Sequence, residues 1–230
     1  MLAGKLLAAA LSGSAALTLS QVSSTSSFVS NITVPASGLA VGDLAVILSF
    51  ARSTSATPPD LTPSGWTKVS TIANSVANNI RISAFYKILT AGDIGTNFTT
   101  LTNNAGLFGF TINQLWIWRP SKAIATVTAL DIENYGSSAA ASHTINISGV
   151  AGPLLAIGHA CSQTDAPTGW LQWTGYSPSA SFEYATTNGQ NDPFYGKYTL
   201  INSGNAVGNI VASITDLGSQ NLQTFYLTIR

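Results

Sequence analysis

The side chains best suited to chemistry are few in this chain and stand apart. Only two histidines occur, His143 and His159. In a strand, His159 and Cys161 would share a face, setting an imidazole beside the chain's one thiol. Zinc needs a fuller ligand set at characteristic spacing, and no second cluster of His, Cys, Asp or Glu completes this one. His159 also sits in an apolar run, where a core or edge position accounts for it. Acyl transfer by serine needs a hydroxyl, an imidazole and an acid in mutual reach. No G-x-S-x-G elbow is present. Glycoside hydrolysis commonly needs two carboxylates opposed across a cleft. Asp131 and Glu133 instead read as neighbours on one face of a solvated strand edge. Asn188-Gly189-Gln190-Asn191-Asp192 is the one loop with a run of oxygen ligands for calcium, and it reads as a turn. No glycine-rich loop precedes a helix to cradle phosphate. The expectation is therefore a protein without catalytic residues, metal or cofactor.

The aromatic residues offer a different chemistry, stacking on sugars. Trp116 and Trp118 share a strand face, as do Phe182 and Tyr184, and core packing is the first explanation for such pairs. Trp173, Tyr176, Phe194 and Tyr195 are the residues singled out for glycan contact, the last two from Asn191-Asp192-Pro193-Phe194-Tyr195 read as an exposed binding loop. Three Asn-x-Ser/Thr triplets, at Asn31, Asn97 and Asn146, matter only in a eukaryotic secretory setting.

Composition narrows the partners. Charged residues make up 8% of the chain and hydrophobic ones 45%. A usual soluble domain carries about 25% charged residues, so this surface must be covered by Ser, Thr, Asn, Gly and Ala. Such a surface has little electrostatic protection against association and suits a protein packed against neighbours or working outside the cell. Nine basic and nine acidic residues cancel, and the basic ones are scattered singly. Nucleic-acid binding needs clustered cations, so it is not expected. The single cysteine excludes an internal disulfide, and 230 residues can bury a core without one.

These residues must be positioned by strands. Period-2 alternation marks Asn79 to Leu89 and Leu222 to Ile229. Continuous apolar runs at Asp43 to Ala51 and Pro153 to Ala160 mark strands buried on both sides, and Leu107 to Trp118 is a further long strand ending at Arg119-Pro120. Turn signals at Pro58-Pro59, Pro63-Ser64-Gly65, Asn103 to Gly106 and Asn188-Gly189 punctuate the rest. The pattern predicts an all-β sandwich or barrel. Ahead of it, Leu2, Leu6, Leu7 and Leu11 give one apolar side to a short helical arm that Gly13 stops. The segment has a lone Lys5 and a short apolar run, weak marks of a secretory signal. It falls short of the ~20 apolar residues that span a bilayer. The expected organisation is an arm over residues 1–22 that docks on a partner or the core, then one sandwich over 23–230.

A weak internal repeat runs through the sandwich. Gly42-Asp43-Leu44-Ala45-Val46-Ile47 leads through a loop to Pro63-Ser64-Gly65-Trp66, and Gly152-Pro153-Leu154-Leu155-Ala156-Ile157 leads to Pro167-Thr168-Gly169-Trp170. Pro and Gly make the turn, and Trp caps the edge of the core. Two similar halves of one sandwich are expected, with the last strand completing a sheet of the first half. These motifs, with Tyr86-Lys87 and Ala91-Gly92-Asp93, make the chain resemble a jelly-roll-like β-sandwich module of bacteriophage structural proteins and some bacterial surface proteins. The resemblance implies two antiparallel sheets and a non-enzymatic virion component, a tail or fibre part or a capsid decoration. Its implied partners are other virion proteins and copies of itself, with a host surface glycan as a further contact. The alternative is an extracellular carbohydrate-binding or adhesion module. Neither reading involves insertion into a membrane.

Overall fold

In the computed structural model, residues 16–53, 61–74, 80–100, 110–136, 141–162, 170–184, 194–214 and 220–230 are described. Leu2, Leu6, Leu7, Leu11, Pro167 and Gly169, and with them the expected helical arm, lie outside those residues. The described residues are all-β. The first half supplies β1 (Leu19–Ser27), β2 (Asn31–Thr33), β3 (Leu44–Arg52), β4 (Thr67–Asn74), β5 (Ile80–Ile88), β6 (Asn97–Thr99) and β7 (Phe110–Pro120). The second supplies β8 (Val127–Gly136), β9 (Ala141–Ile145), β10 (Leu154–Ser162), β11 (Gln172–Thr174), β12 (Ala180–Tyr184), β13 (Phe194–Ile201), β14 (Ile210–Ile214) and β15 (Gln220–Ile229).

Two five-stranded antiparallel sheets carry the architecture, one of order β1-β7-β3-β5-β4 and one of order β8-β15-β10-β13-β12. Each is drawn from one half of the chain. The last strand, β15, pairs with β10 and β8 of its own half, so the expected completion of a first-half sheet does not occur. Strand for strand, the two orders are the same. The long apolar runs become the central strands β3 and β10, both buried on both faces, because each is covered by a layer above and below. Smaller sheets cover the outer faces: β2-β6 in the first half and β11-β14-β9 in the second.

The inner faces of the two large sheets share one core. Leu48, Phe50, Ile82, Trp116 and Trp118 meet Ile157, Phe194, Tyr198, Phe225 and Leu227 in it. Trp116 and Trp118 lie edge-on to Tyr198 at centroid distances of 4.9 and 5.1 Å. Polar side chains stitch the layers where they meet. Tyr198 donates to Gln21 Oε1 at 2.7 Å, Tyr184 to Gln114 Oε1 at 3.0 Å, and Asn134 to Ser70 Oγ at 2.8 Å. Glycine makes room for aromatic rings: a side chain at Gly196 would overlap the Phe182 ring, and a Cβ on Gly158 would lie 2.7 Å from the indole of Trp173.

Two sequence expectations shift here. Leu17 and Leu19 belong to the shared core and β1 begins at Leu19, so the sandwich takes in residues that the sequence assigned to an arm ending at 22. In β8, Asp131 and Ile132 together oppose Phe225, a bulge with Asp131 at φ 50°. That bulge breaks the alternation that would have set Asp131 and Glu133 on one face.

Candidate functional site

The turn before β3 is fastened by charge. Gly42 takes φ 94°, a conformation that glycine adopts without strain. Asp43, 1% exposed, accepts the amide of Ala40 at 2.8 Å and a two-point bond from Arg119, Nε to Oδ1 at 3.1 Å and Nη2 to Oδ2 at 2.9 Å. The planar guanidinium matches both carboxylate oxygens, which fixes the end of β7 to the start of β3.

The second turn motif borders an open cleft of about 740 Å³. Pro63 accepts the amide of Trp66 at 3.0 Å, with Gly65 at φ 75° between them. Trp66 packs edge-on to Phe98 of β6 at 5.5 Å. One wall of the cleft is residues 61–65, the other is Thr96 to Thr99, and Lys87, Gly92 and Asp93 lie between. Lys87 Nζ bonds Asp93 Oδ1 at 2.6 Å and lies 5.4 Å from the centre of the Phe98 ring. The second carboxylate oxygen accepts Thr90 N at 2.8 Å and Thr90 Oγ1 at 2.7 Å. Burial alone would raise the pKa of Asp93; the bonds from Lys87 and Thr90 outweigh it and hold the carboxyl below its ordinary range.

The other candidates resolve into structural roles. His159 and Cys161 do share the inner face of β10, but both are fully buried in the core. His159 Nε2 meets Gln223 Oε1 at 2.5 Å, and Gln223 donates to Asn134 Oδ1 at 2.7 Å. Desolvation lowers the pKa of His159 to about 4, against a smaller upward pull from Gln223. Among the described residues, no group of three or more His, Cys, Asp or Glu is placed to hold a metal ion. Asp131, turned by its bulge, accepts the amide of Asn146 at 2.6 Å and meets His143 Nε2 at 3.4 Å, tying β8 to the end of β9.

Three of the four residues of the expected aromatic platform lie in the core instead. Phe194, Tyr195 and Trp173 are buried, and Trp170 packs with Leu171 and Tyr195 under the second half's outer layer. Tyr176 is half-buried and donates to the carbonyl of Val207 at 2.8 Å. The rings of Trp173, Phe194 and Tyr195 cannot stack on a sugar, because they are buried inside the fold. The sequence reading missed the Lys87–Asp93 cleft. Its one signal was a lone lysine late in an apolar strand, six residues before a Gly-Asp turn.

Comparison of the chain with protein-family models, with curated proteins and with solved structures finds no match.

Proposed function

We propose that this chain is a non-enzymatic structural protein on the exterior of a bacteriophage particle, tail- or fibre-associated or a capsid decoration. In this reading it is built of jelly-roll-like halves and anchored through its N-terminal segment. The observation that carries the assembly role is the edge of the first sheet at β1, which pairs with no described strand on its outer side. β1 lies in a stretch with no charged residue between Lys5 and Asp43. Sheet edges that face only water are usually guarded by charge, and here one bulge is the guard. An uncharged edge suits a chain that meets neighbours in a particle, where repetition multiplies weak contacts.

The use of charge supports the same reading. Asp43, Asp93 and Asp131 hold turns and strand ends, positions where a structural protein needs them. The pairing of β1 with β7, β7 with β3, β3 with β5, and β2 with β6 agrees with a jelly roll, whose first and last strands are neighbours. The phage affiliation rests on the turn motifs Gly42-Asp43-Leu44 and Pro63-Ser64-Gly65-Trp66. A second reading, an extracellular adhesion module, is favoured by the polar cleft at Lys87.

The test is incorporation. A chain lacking residues 1–15 keeps Leu17 and all of β1, so its thermal midpoint should match the full chain while its incorporation into purified particles is lost. Full incorporation of the truncated chain would remove the anchoring role. Recovery of the native chain free in the medium, with none in particles, would move the assignment to the second reading.

A further inference from the structure

Half for half the strands correspond, with one exception. In the second half, β14 has a neighbour on each side, β9 and β11. Its counterpart β6 pairs, among the described strands, with β2 alone. The strand that follows the first turn motif, β4, joins the edge of the large sheet. The second half places β11 after its motif before β12 takes the corresponding edge. Among the described residues the first half therefore has no third strand in its outer layer, and the Lys87–Asp93 cleft lies where that strand would run.

The geometry of β6 agrees. Thr100 N donates to Ser30 O at 2.8 Å and Thr96 O accepts Val34 N at 3.0 Å, so the even-numbered residues of this segment bond toward β2. Antiparallel pairing alternates, so the N–H and C=O groups of Asn97 and Thr99 point the other way, along the cleft. The cleft is lined by Thr96, Asn97, Phe98 and Thr99 in succession. A sheet face would present only alternate residues; an edge presents all of them. At its floor, Lys87 is 15% exposed and Asp93 is its one hydrogen-bond partner among the described residues, which leaves two ammonium N–H groups for an acceptor.

We infer that this cleft is a strand-acceptor site that binds an extended, uncharged peptide segment as a third strand on β6. Main-chain bonds to Asn97 and Thr99 supply the affinity, as in strand addition generally. A side-chain amide or hydroxyl above Lys87 supplies an acceptor, whereas a carboxylate there would meet the Asp93 charge. The inference does not depend on the phage assignment, since it concerns the isolated protein.

The test uses a synthetic peptide carrying Trp170 to Tyr176, the segment that fills the corresponding place in the second half, and a displayed library of random heptapeptides. Binding is followed by amide chemical shifts and hydrogen exchange. The expected result is saturable binding of the β11 peptide or of selected library members, with the amides of Asn97 and Thr99 slowed in exchange. Two variants keep the result specific. Gly92→Leu fills the cleft, and its Cβ would have only Thr90 Oγ1 near, at 4.0 Å. Thr99→Pro removes an edge N–H that β2 does not use. Each should weaken binding by roughly tenfold or more, the loss of one or two hydrogen bonds, without lowering the thermal midpoint. Absence of any peptide whose binding both variants weaken would overturn the inference. So would saturable binding of free glucose, galactose, mannose or N-acetylglucosamine at Lys87 and Asp93 with no peptide bound.

Discussion

His159 shows how this fold treats a group that could have done chemistry. Its imidazole lies between the sheets and donates to Gln223, which donates to Asn134, which reaches Ser70 on the other sheet. Burying the neutral ring is tolerable, but a charge there meets no carboxylate among the described residues, and desolvation depresses the pKa to about 4. The unfolded chain, with an ordinary value of 6.5, binds the proton first. Between those values the unfolded state carries more protons, so stability falls as pH falls through this window. The stabilisation is complete above the upper value and gone below the lower one, a span worth about 3 kcal/mol. Denaturant titrations from about pH 7 to about pH 4 should show that decline, and His159→Gln should flatten it. An unchanged slope in the variant would mean that His159 is not the titrating group. The core position of His159 was legible from its apolar neighbours. Its partners were not, because Gln223 lies 64 residues on and Asn134 another 89 back along the chain.

Strands differ in legibility according to how they are covered. β3 and β10 announce themselves as apolar runs because both faces are buried, and β5 as alternation flanked by turns. β1 carries the sequence LSQVSSTSS, with Leu19 its one fully buried position, so periodicity gives no signal. Its strand state comes from β7, whose buried face requires a partner on its outer side, from Leu19 to Ser27 against Pro120 to Asn113. Asn202 then clamps Leu19 at both its amide and its carbonyl, at 2.6 and 2.8 Å. β1 should therefore matter far more than its sequence suggests. Removal of residues 1–27 takes away Leu17, Leu19, this clamp and a full strand ladder. Each buried leucine is worth about 1.5–3 kcal/mol and each hydrogen bond about 1 kcal/mol. Together these approach the whole stability of a domain, about 5–15 kcal/mol. Such a chain should be insoluble or lack a cooperative transition, whereas the chain lacking 1–15 should unfold like the parent. A soluble, cooperatively folded 28–230 would show that β7 can stand as an edge.

At the scale of the whole molecule, the repeat seen in the sequence is real in topology but out of phase in residues. Aligning the two glycine-led motifs sets Leu44 beside Leu154, yet Leu44 faces the shared core and Leu154 the outer layer. The strand positions that truly correspond differ from the motif alignment by an odd number of residues, a shift that sequence periodicity alone cannot detect because both strands are apolar on both faces. The same duplication explains why the last strand stays in its own half: β15 completes for the second sheet what β7 completes for the first. Each half thus holds its own strand ladders, but neither holds a closed core, since Trp116 and Trp118 need Tyr198 and Phe225 across the interface. A chain cut between Lys122 and Ala123 keeps every strand ladder intact and should yield two fragments that co-purify. They should unfold in one concentration-dependent transition below the midpoint of the parent, and each fragment alone should aggregate through its bare inner face. Fragments that separate on gel filtration and unfold independently would instead make the shared core a contact between two self-sufficient units.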